Sequence, residues 1–233
     1  MEDIEKTLFS MVSQSYVDWR AIVIDDLSTD GSHDKVLEVT SSLPKRYSEK
    51  FTVIKNTRKH GEVENTLQAM GLIEDDEVVC RLDGGDWLTE NDLLYVLNQV
   101  YQDDSVAVAW TAHRWSYTSQ NISGPLNLSP GQSVYQHPWV SSHLKTFRCE
   151  RLRKVPEANF RDSDGNYIMI ACDQAVFLPM MHLSNMENKK LAFVPILGYH
   201  YNIDLSNKNL FTNERSLRQK MSAETIRQRG FIG

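Results

Sequence analysis

Apolar positions recur along this chain in two alternating rhythms. Ile4, Leu8, Met11 and Val12 fall at helical spacing over 4–15. Ala21-Ile22-Val23-Ile24 is a continuous apolar run, the pattern of a buried strand, and helical spacing follows over 34–43 until Pro44 stops it. The alternation continues with a strand over 51–54, a helix over 62–73, a strand over 78–82, a helix over 91–101 and a strand over 106–111. Strands separated by helices predict right-handed crossovers and a mostly parallel sheet flanked by helices, an α/β fold. Beyond Ala112 the rhythm breaks. Ser, Asn, Gly and Pro dominate 116–138, which predicts long loops with a short strand at 133–135. Helices over 139–153 and 173–185, a strand over 191–195, and a polar, basic tail over 207–233 with one or two surface helices complete the pattern.

Two of these strands end in acids. The run 21–24 leads into Asp25-Asp26 and then the turn-forming Ser28-Thr29-Asp30-Gly31-Ser32; the run 78–82 leads into Asp83-Gly84-Gly85-Asp86. Open α/β sheets bind ligands beyond the carboxyl ends of their strands. Carboxylates there suit the donors of a nucleobase or ribose, or a hard cation. The same pattern also fits plain strands followed by helix caps at Ser28, Asp30 or Asp86.

Composition narrows the choice. The chain has 233 residues, 41% hydrophobic, enough for one domain, 1–233, with a single large core. A net charge of −6 argues against a nucleic-acid partner, although Lys and Arg gather at 55–59 and 148–154, where a local anion site is expected. The three cysteines lack metal-ligand spacing and read as free thiols of a reducing compartment. No apolar run reaches the roughly 20 residues of a membrane span, so a soluble, cytoplasmic protein is expected.

The two acidic blocks, with Gln14-Ser15-Tyr16-Val17-Asp18-Trp19 ahead of the first, resemble the signature of family 2 glycosyltransferases. The resemblance runs over most of 4–205. It implies a GT-A-type, Rossmann-like nucleotide-sugar fold, with a donor-binding half over about 1–112, an acceptor-side half over about 113–205 and a tail over 206–233. The implied reaction is inverting transfer from a nucleoside-diphosphate sugar, a UDP-sugar first, to a hydroxyl of a saccharide or other acceptor. By the same resemblance Asp25 and Asp26 contact the nucleoside, and Asp83 and Asp86 hold Mn²⁺ or Mg²⁺, with Asp83 also touching the donor. Arg58 and Lys59 lie on a loop near the donor. Asp173, in Cys172-Asp173-Gln174 at a helix start, is the general base. His143-Leu144-Lys145-Thr146-Phe147-Arg148 and Tyr199-His200-Tyr201-Asn202 resemble blocks of a bacterial and viral subgroup. They put His143 and Arg148 against substrate and offer His200 as a third metal ligand; either histidine also fits a structural role. Trp87, Trp110, Trp115 and Trp139 are sugar-stacking or core residues, and Arg215 and Arg218 diphosphate contacts or a solvated helix face.

Two departures are plain. Gly85 stands where the family's Asp-x-Asp-Asp block has its middle acid. The usual first strand, with its Pro-x-Tyr-Asn turn, is missing, because Met1 falls in the helix that should follow it; another segment is then needed to cover the next strand's edge. These departures keep a rival open, a non-catalytic member that binds or scaffolds. A sugar nucleotidyltransferase is disfavoured, since no Gly-rich loop bearing Lys or Arg is present to cradle a triphosphate.

Overall fold

The computed structural model describes residues 2–116, 118, 121–202 and 214–233. Two sheets form. In the first, β1 (Ala21–Asp25) and β2 (Phe51–Lys55) pair in parallel, from Ala21 opposite Phe51 to Asp25 opposite Lys55. The second holds β3 (Val78–Arg81), β4 (Trp87–Leu88), β5 (Val106–Trp115), β6 (Lys145–Arg148) and β7 (Lys190–Tyr201), in the spatial order β3-β6-β5-β7-β4. The two longest ladders, β1–β2 and β5–β7, are parallel. The shorter β3–β6, β5–β6 and β4–β7 ladders are antiparallel.

The helices cover these sheets as their apolar faces require. α1 (Glu2–Val12) and α2 (Ser32–Ser42) pack Leu8, Val36 and Val39 against Val23, Phe51 and Val53. α3 (Lys45–Ser48) is a single turn. α4 (Gly61–Ala69) follows β2, and α5 (Leu93–Tyr101) buries Leu93 and Leu97 against Leu88, Leu144 and Tyr199. α6 (Cys149–Arg153) follows β6 directly. α7 (Cys172–Met186) is apolar on most sides, and a helix of that kind belongs in the interior. Its Phe177 meets Phe147 edge-on, with ring centroids 5.6 Å apart, in a cluster that also holds Trp110, Leu152 and Val176.

The structure corrects several sequence expectations. The helix expected over 139–153 is β6 followed by α6. Thr146 and Phe147 are fully buried, and Thr146 Oγ1 donates to the Ala109 carbonyl of β5 at 2.9 Å. Tertiary pairing overrides the helical spacing there. Residues 133–135 form a turn rather than a strand, and the last strand extends from 190 to 201. α8 (Glu214–Arg229) is a helix of the tail. Residues 207–213 of that expectation, and the Arg215 side chain, lie outside the described residues. Among the described residues no helix is long and apolar enough to cross a membrane.

The sheet is interrupted where the sequence lacks a strand. Among the described residues no backbone hydrogen bond joins β1 or β2 to the five-stranded sheet. Side chains make the connection instead. Arg20, just ahead of β1, forks onto Glu77, just ahead of β3, through Nε–Oε1 at 2.9 Å and Nη2–Oε2 at 2.6 Å. Arg20 Nη2 also donates to the Leu72 carbonyl at 2.6 Å.

Arg20→Ala should therefore loosen the β1–β2 unit before the rest. The pair is partly exposed, so screening limits its worth, and a loss of about 1 kcal/mol is expected. Hydrogen exchange should quicken in β1 and β2 more than in β5 and β7; equal protection in both sheets would contradict this linkage.

Candidate functional site

The site is built on the register of β3 with β6. Val78 faces Arg148 and Arg81 faces Lys145, so the two ends of this four-residue ladder carry different chemistry. Arg81 and Lys145 lie at the carboxyl end of β3, on the side of the sheet where Val79 and Phe147 meet the core that includes α7. Glu62, in the first turn of α4, accepts a hydrogen bond from Arg81 Nη2. Asp173, in the first turn of α7, completes the group. Ala171 holds the N-cap position at φ 57°, so Asp173 is not the capping residue.

Lys145 and Arg81 are withdrawn from solvent, while the Glu62 side chain is 41% exposed. Burial pushes the Asp173 carboxyl above 3.8; the Lys145 charge draws it back, and Glu62 adds to the rise. Lys145 is 3% exposed, and burial pushes its ammonium down while Asp173 opposes that shift. Burial disfavours the charge on Arg81, but Glu62 and Asp83 outweigh it and hold the guanidinium firmly protonated. Burial likewise works against charge on Glu62, and Arg81 keeps it ionised. Sequence reasoning missed Glu62, Arg81 and Lys145. The available signal was period-two alternation, which puts a strand-end Arg and the Lys of its antiparallel partner on one face.

The expected acids divide into open and engaged. Asp25 is 8% exposed; its Oδ1 accepts from the Ser28 amide at 3.2 Å, and its Oδ2 has no partner. Asp26 is fully engaged: Asn56 Nδ2 and the His60 amide reach Oδ1 at 2.8 Å each, and the Gly61 amide reaches Oδ2 at 2.9 Å. Burial resists its charge, but these donors win and hold the carboxyl far below the usual range. Asp26 thus ties β1 to the start of α4, where Gly61 (φ 79°) passes so close to Met169 that a Cβ would lie 2.4 Å from its sulfur. Lys59 pairs with Asp26 at 3.2 Å and Arg58 with Glu64, so the basic loop folds onto its own acids.

Asp83 is open, with its side chain 47% exposed and 3.8 Å from Arg81. Asp86 is not. Its Oδ2 accepts from the Tyr199 hydroxyl at 2.5 Å and its Oδ1 from the Asn202 amide at 2.8 Å. His200 lies flat on Trp87, ring centroids 4.0 Å apart, with Nδ1 on Arg114 and Nε2 on Ser116 at 3.2 Å each. His143 stacks on Tyr199 at 4.4 Å; burial first, then the Lys145 charge, keeps its ring neutral. Arg148 binds the carbonyls of Val106 and Tyr101 at the opposite end of β6 and is remote from Asp173. Of the four tryptophans singled out as sugar-stacking or core residues, Trp110 is fully buried and Trp87 is covered by His200.

The expected metal set does not fit. The donor atoms of Asp86 and His200 are occupied, and Gly85, at the middle position, has φ 97°, a backbone conformation that an aspartate adopts only with strain. Among the described residues no group of three or more His, Cys, Asp or Glu side chains is placed to hold a metal ion.

Comparison with known proteins agrees with the family resemblance of the sequence. The model of "Glycosyl transferase family 2" matches residues 2–155. The chain belongs to this family. Solved structures share this fold at low identity. TarS of S. aureus is 15% identical over 97% of this chain and 40% of its own, with a TM-score of 0.62. TarS 1–349 in complex with UDP-GlcNAc is 14% identical over 86% and 55%, at 0.61. The mannosyltransferase PcManGT from Pyrobaculum calidifontis, in complex with GDP-Man and Mn²⁺, is 14% identical over 100% and 62%, at 0.68. The chain thus spans about half the length of these structures. No curated protein matches it in sequence.

In this family 2 chain Asp86 should govern pH-dependent stability. Burial lifts its carboxyl from 3.8 to about 7 against the pull of Tyr199 and Asn202. The native state then holds this proton more tightly than the unfolded chain. The contribution is fully present below 3.8 and is lost as pH rises through about 7. Asp86→Asn should flatten the fall of unfolding free energy across that window, by up to ~1.4 kcal/mol per pH unit. Parallel pH profiles for the two proteins would show that Asp86 keeps an ordinary affinity for its proton.

Proposed function

We propose that the chain transfers a sugar from a nucleoside-diphosphate sugar to an acceptor hydroxyl, with inversion and with Asp173 as general base. The observation that carries this reading is the Asp173 carboxyl in the first turn of α7, lifted by burial and drawn back by the Lys145 charge. A base with a raised pKa drives proton transfer better near neutral pH than an ordinary carboxylate. Asp173 takes the acceptor O–H proton as that oxygen bonds to the anomeric carbon. The bond from the anomeric carbon to the β-phosphate oxygen breaks, and its electron pair leaves with the nucleoside diphosphate. The orphan Oδ2 of Asp25 and the open carboxylate of Asp83 are acceptors for N–H and O–H groups of the nucleoside. Neighbours of known structure carry UDP-GlcNAc, UDP or GDP-Man, which supports a nucleotide-sugar donor. We keep a UDP-sugar as the first choice, with 1–112 as the donor half and 113–205 as the acceptor side.

Donor hydrolysis across UDP- and GDP-sugars tests the activity and names the donor; no turnover with any of them favours a binding protein. Asp173→Asn tests the base. It should lower kcat by about 10²–10⁴-fold with donor affinity and Tm nearly unchanged. The wild type should lose activity as pH falls through an acid limb lying above 3.8, and the variant should lack that limb. A fall of less than about tenfold assigns the base to another residue.

A further inference from the structure

Glycosyl transfer of this kind needs something to offset the negative charge that grows on the departing diphosphate. The carboxylates expected to hold a metal for that purpose do not assemble: Asp86 and His200 are engaged and Gly85 offers no ligand. The same end of β3 carries two buried cations whose donors are not used up. Arg81 bonds Glu62 through Nη2, while its Nη1 is buried with no partner. Lys145 has the Ser142 carbonyl as its one hydrogen-bond partner among the described residues, and lies 5.7 Å from the centre of the Phe177 ring. An ammonium has three donors, so Lys145 too has donors to spare. The cross-strand register sets the two cations side by side, and α4 and α7 both reach them: Glu62 in the first turn of α4 bonds Arg81, and Phe177 of α7 lies near Lys145. The amino ends of two helices add positive potential.

We propose that Arg81 and Lys145 bind the donor diphosphate and take up the charge of the leaving group, in place of a divalent metal. This rests on the nucleotide-sugar reading above. When the anomeric bond breaks, the electron pair stays on the β-phosphate oxygen, and Lys145 and Arg81 Nη1 donate hydrogen bonds to the diphosphate. Glu62 is the positioning residue that fixes the Arg81 fork. Buried donors of fixed position need no reorganisation during the reaction, which is the condition under which such groups act strongly.

Calorimetry with UDP, GDP and inorganic pyrophosphate in excess chelator tests this on the wild-type protein. Binding of UDP or GDP, and its displacement by pyrophosphate, is the expected result. Lys145→Met, which keeps the volume and removes the charge, should weaken diphosphate affinity by about 10–100-fold while leaving nucleoside affinity unchanged. Arg81→Lys should weaken it less, and a thermal melt of each variant shows whether the fold is intact. Should a variant fail to fold, the chelator experiment on the wild type still decides. Binding that appears only with added Mn²⁺ and ignores Lys145→Met would overturn the proposal and leave the glycosyltransferase reading standing. No nucleotide binding under either condition would overturn that reading, and this inference with it.

Discussion

The antiparallel register of β3 with β6 is the constraint on which the site depends. It sets Lys145 opposite Arg81 at one end of the ladder and sends Arg148 to the other, against the carbonyls of Tyr101 and Val106. Slipping the register by one residue would turn every side chain of β6 to the opposite face. Lys145 would then point where Thr146 now meets Tyr101 and Ala109. Full burial of Phe147 against Phe177 on one face, and of Thr146 on the other, forbids that slip. The core therefore fixes the position of the buried charges.

Buried ions are tolerated only when compensated. Here the compensation is local: Glu62 to Arg81, Asp173 within range of Lys145, and Asp83 at 3.8 Å from Arg81. Each acid in a first helical turn also gains from the amide dipoles behind it. The arrangement leaves one guanidinium nitrogen and one carboxylate oxygen, Arg81 Nη1 and Asp25 Oδ2, buried without partners. Each such atom costs about 1–3 kcal/mol when it is left unpaired. Both stand at the carboxyl ends of their strands, where a ligand of an open sheet would meet them.

Local pattern made much of this fold legible. Strands β1, β2 and β3 are short apolar runs between turn signals and lie where their runs predict, while β5 begins where its run predicts but continues past 111 to Trp115. What sequence could not carry was partnership. Asp26 and Asp86 look like their neighbours Asp25 and Asp83, yet distant donors engage them: the amides of His60 and Gly61, and the Tyr199 hydroxyl with the Asn202 amide. β6 was hidden because 139–153 has the spacing of a helix, and only its place between β3 and β5 makes Lys145–Arg148 extended. The role of Lys145 was hidden with it.

The interrupted sheet gives the site a mechanical character. β1 brings Asp25, and β3 brings Arg81, from sheets that share no backbone hydrogen bond among the described residues. Arg20 and Glu77 join their amino ends. Their carboxyl ends are joined by a relay in which Asp26 holds Gly61, and Glu62, the next residue, holds Arg81. A ligand that touched both Asp25 and Arg81 would replace a side-chain relay with a direct bridge. Binding free energy would then appear partly as sheet-to-sheet stability, because a ligand that binds only the joined form stabilises that form by mass action. The nucleoside end and the diphosphate end of one donor molecule have the chemistry to make those two contacts.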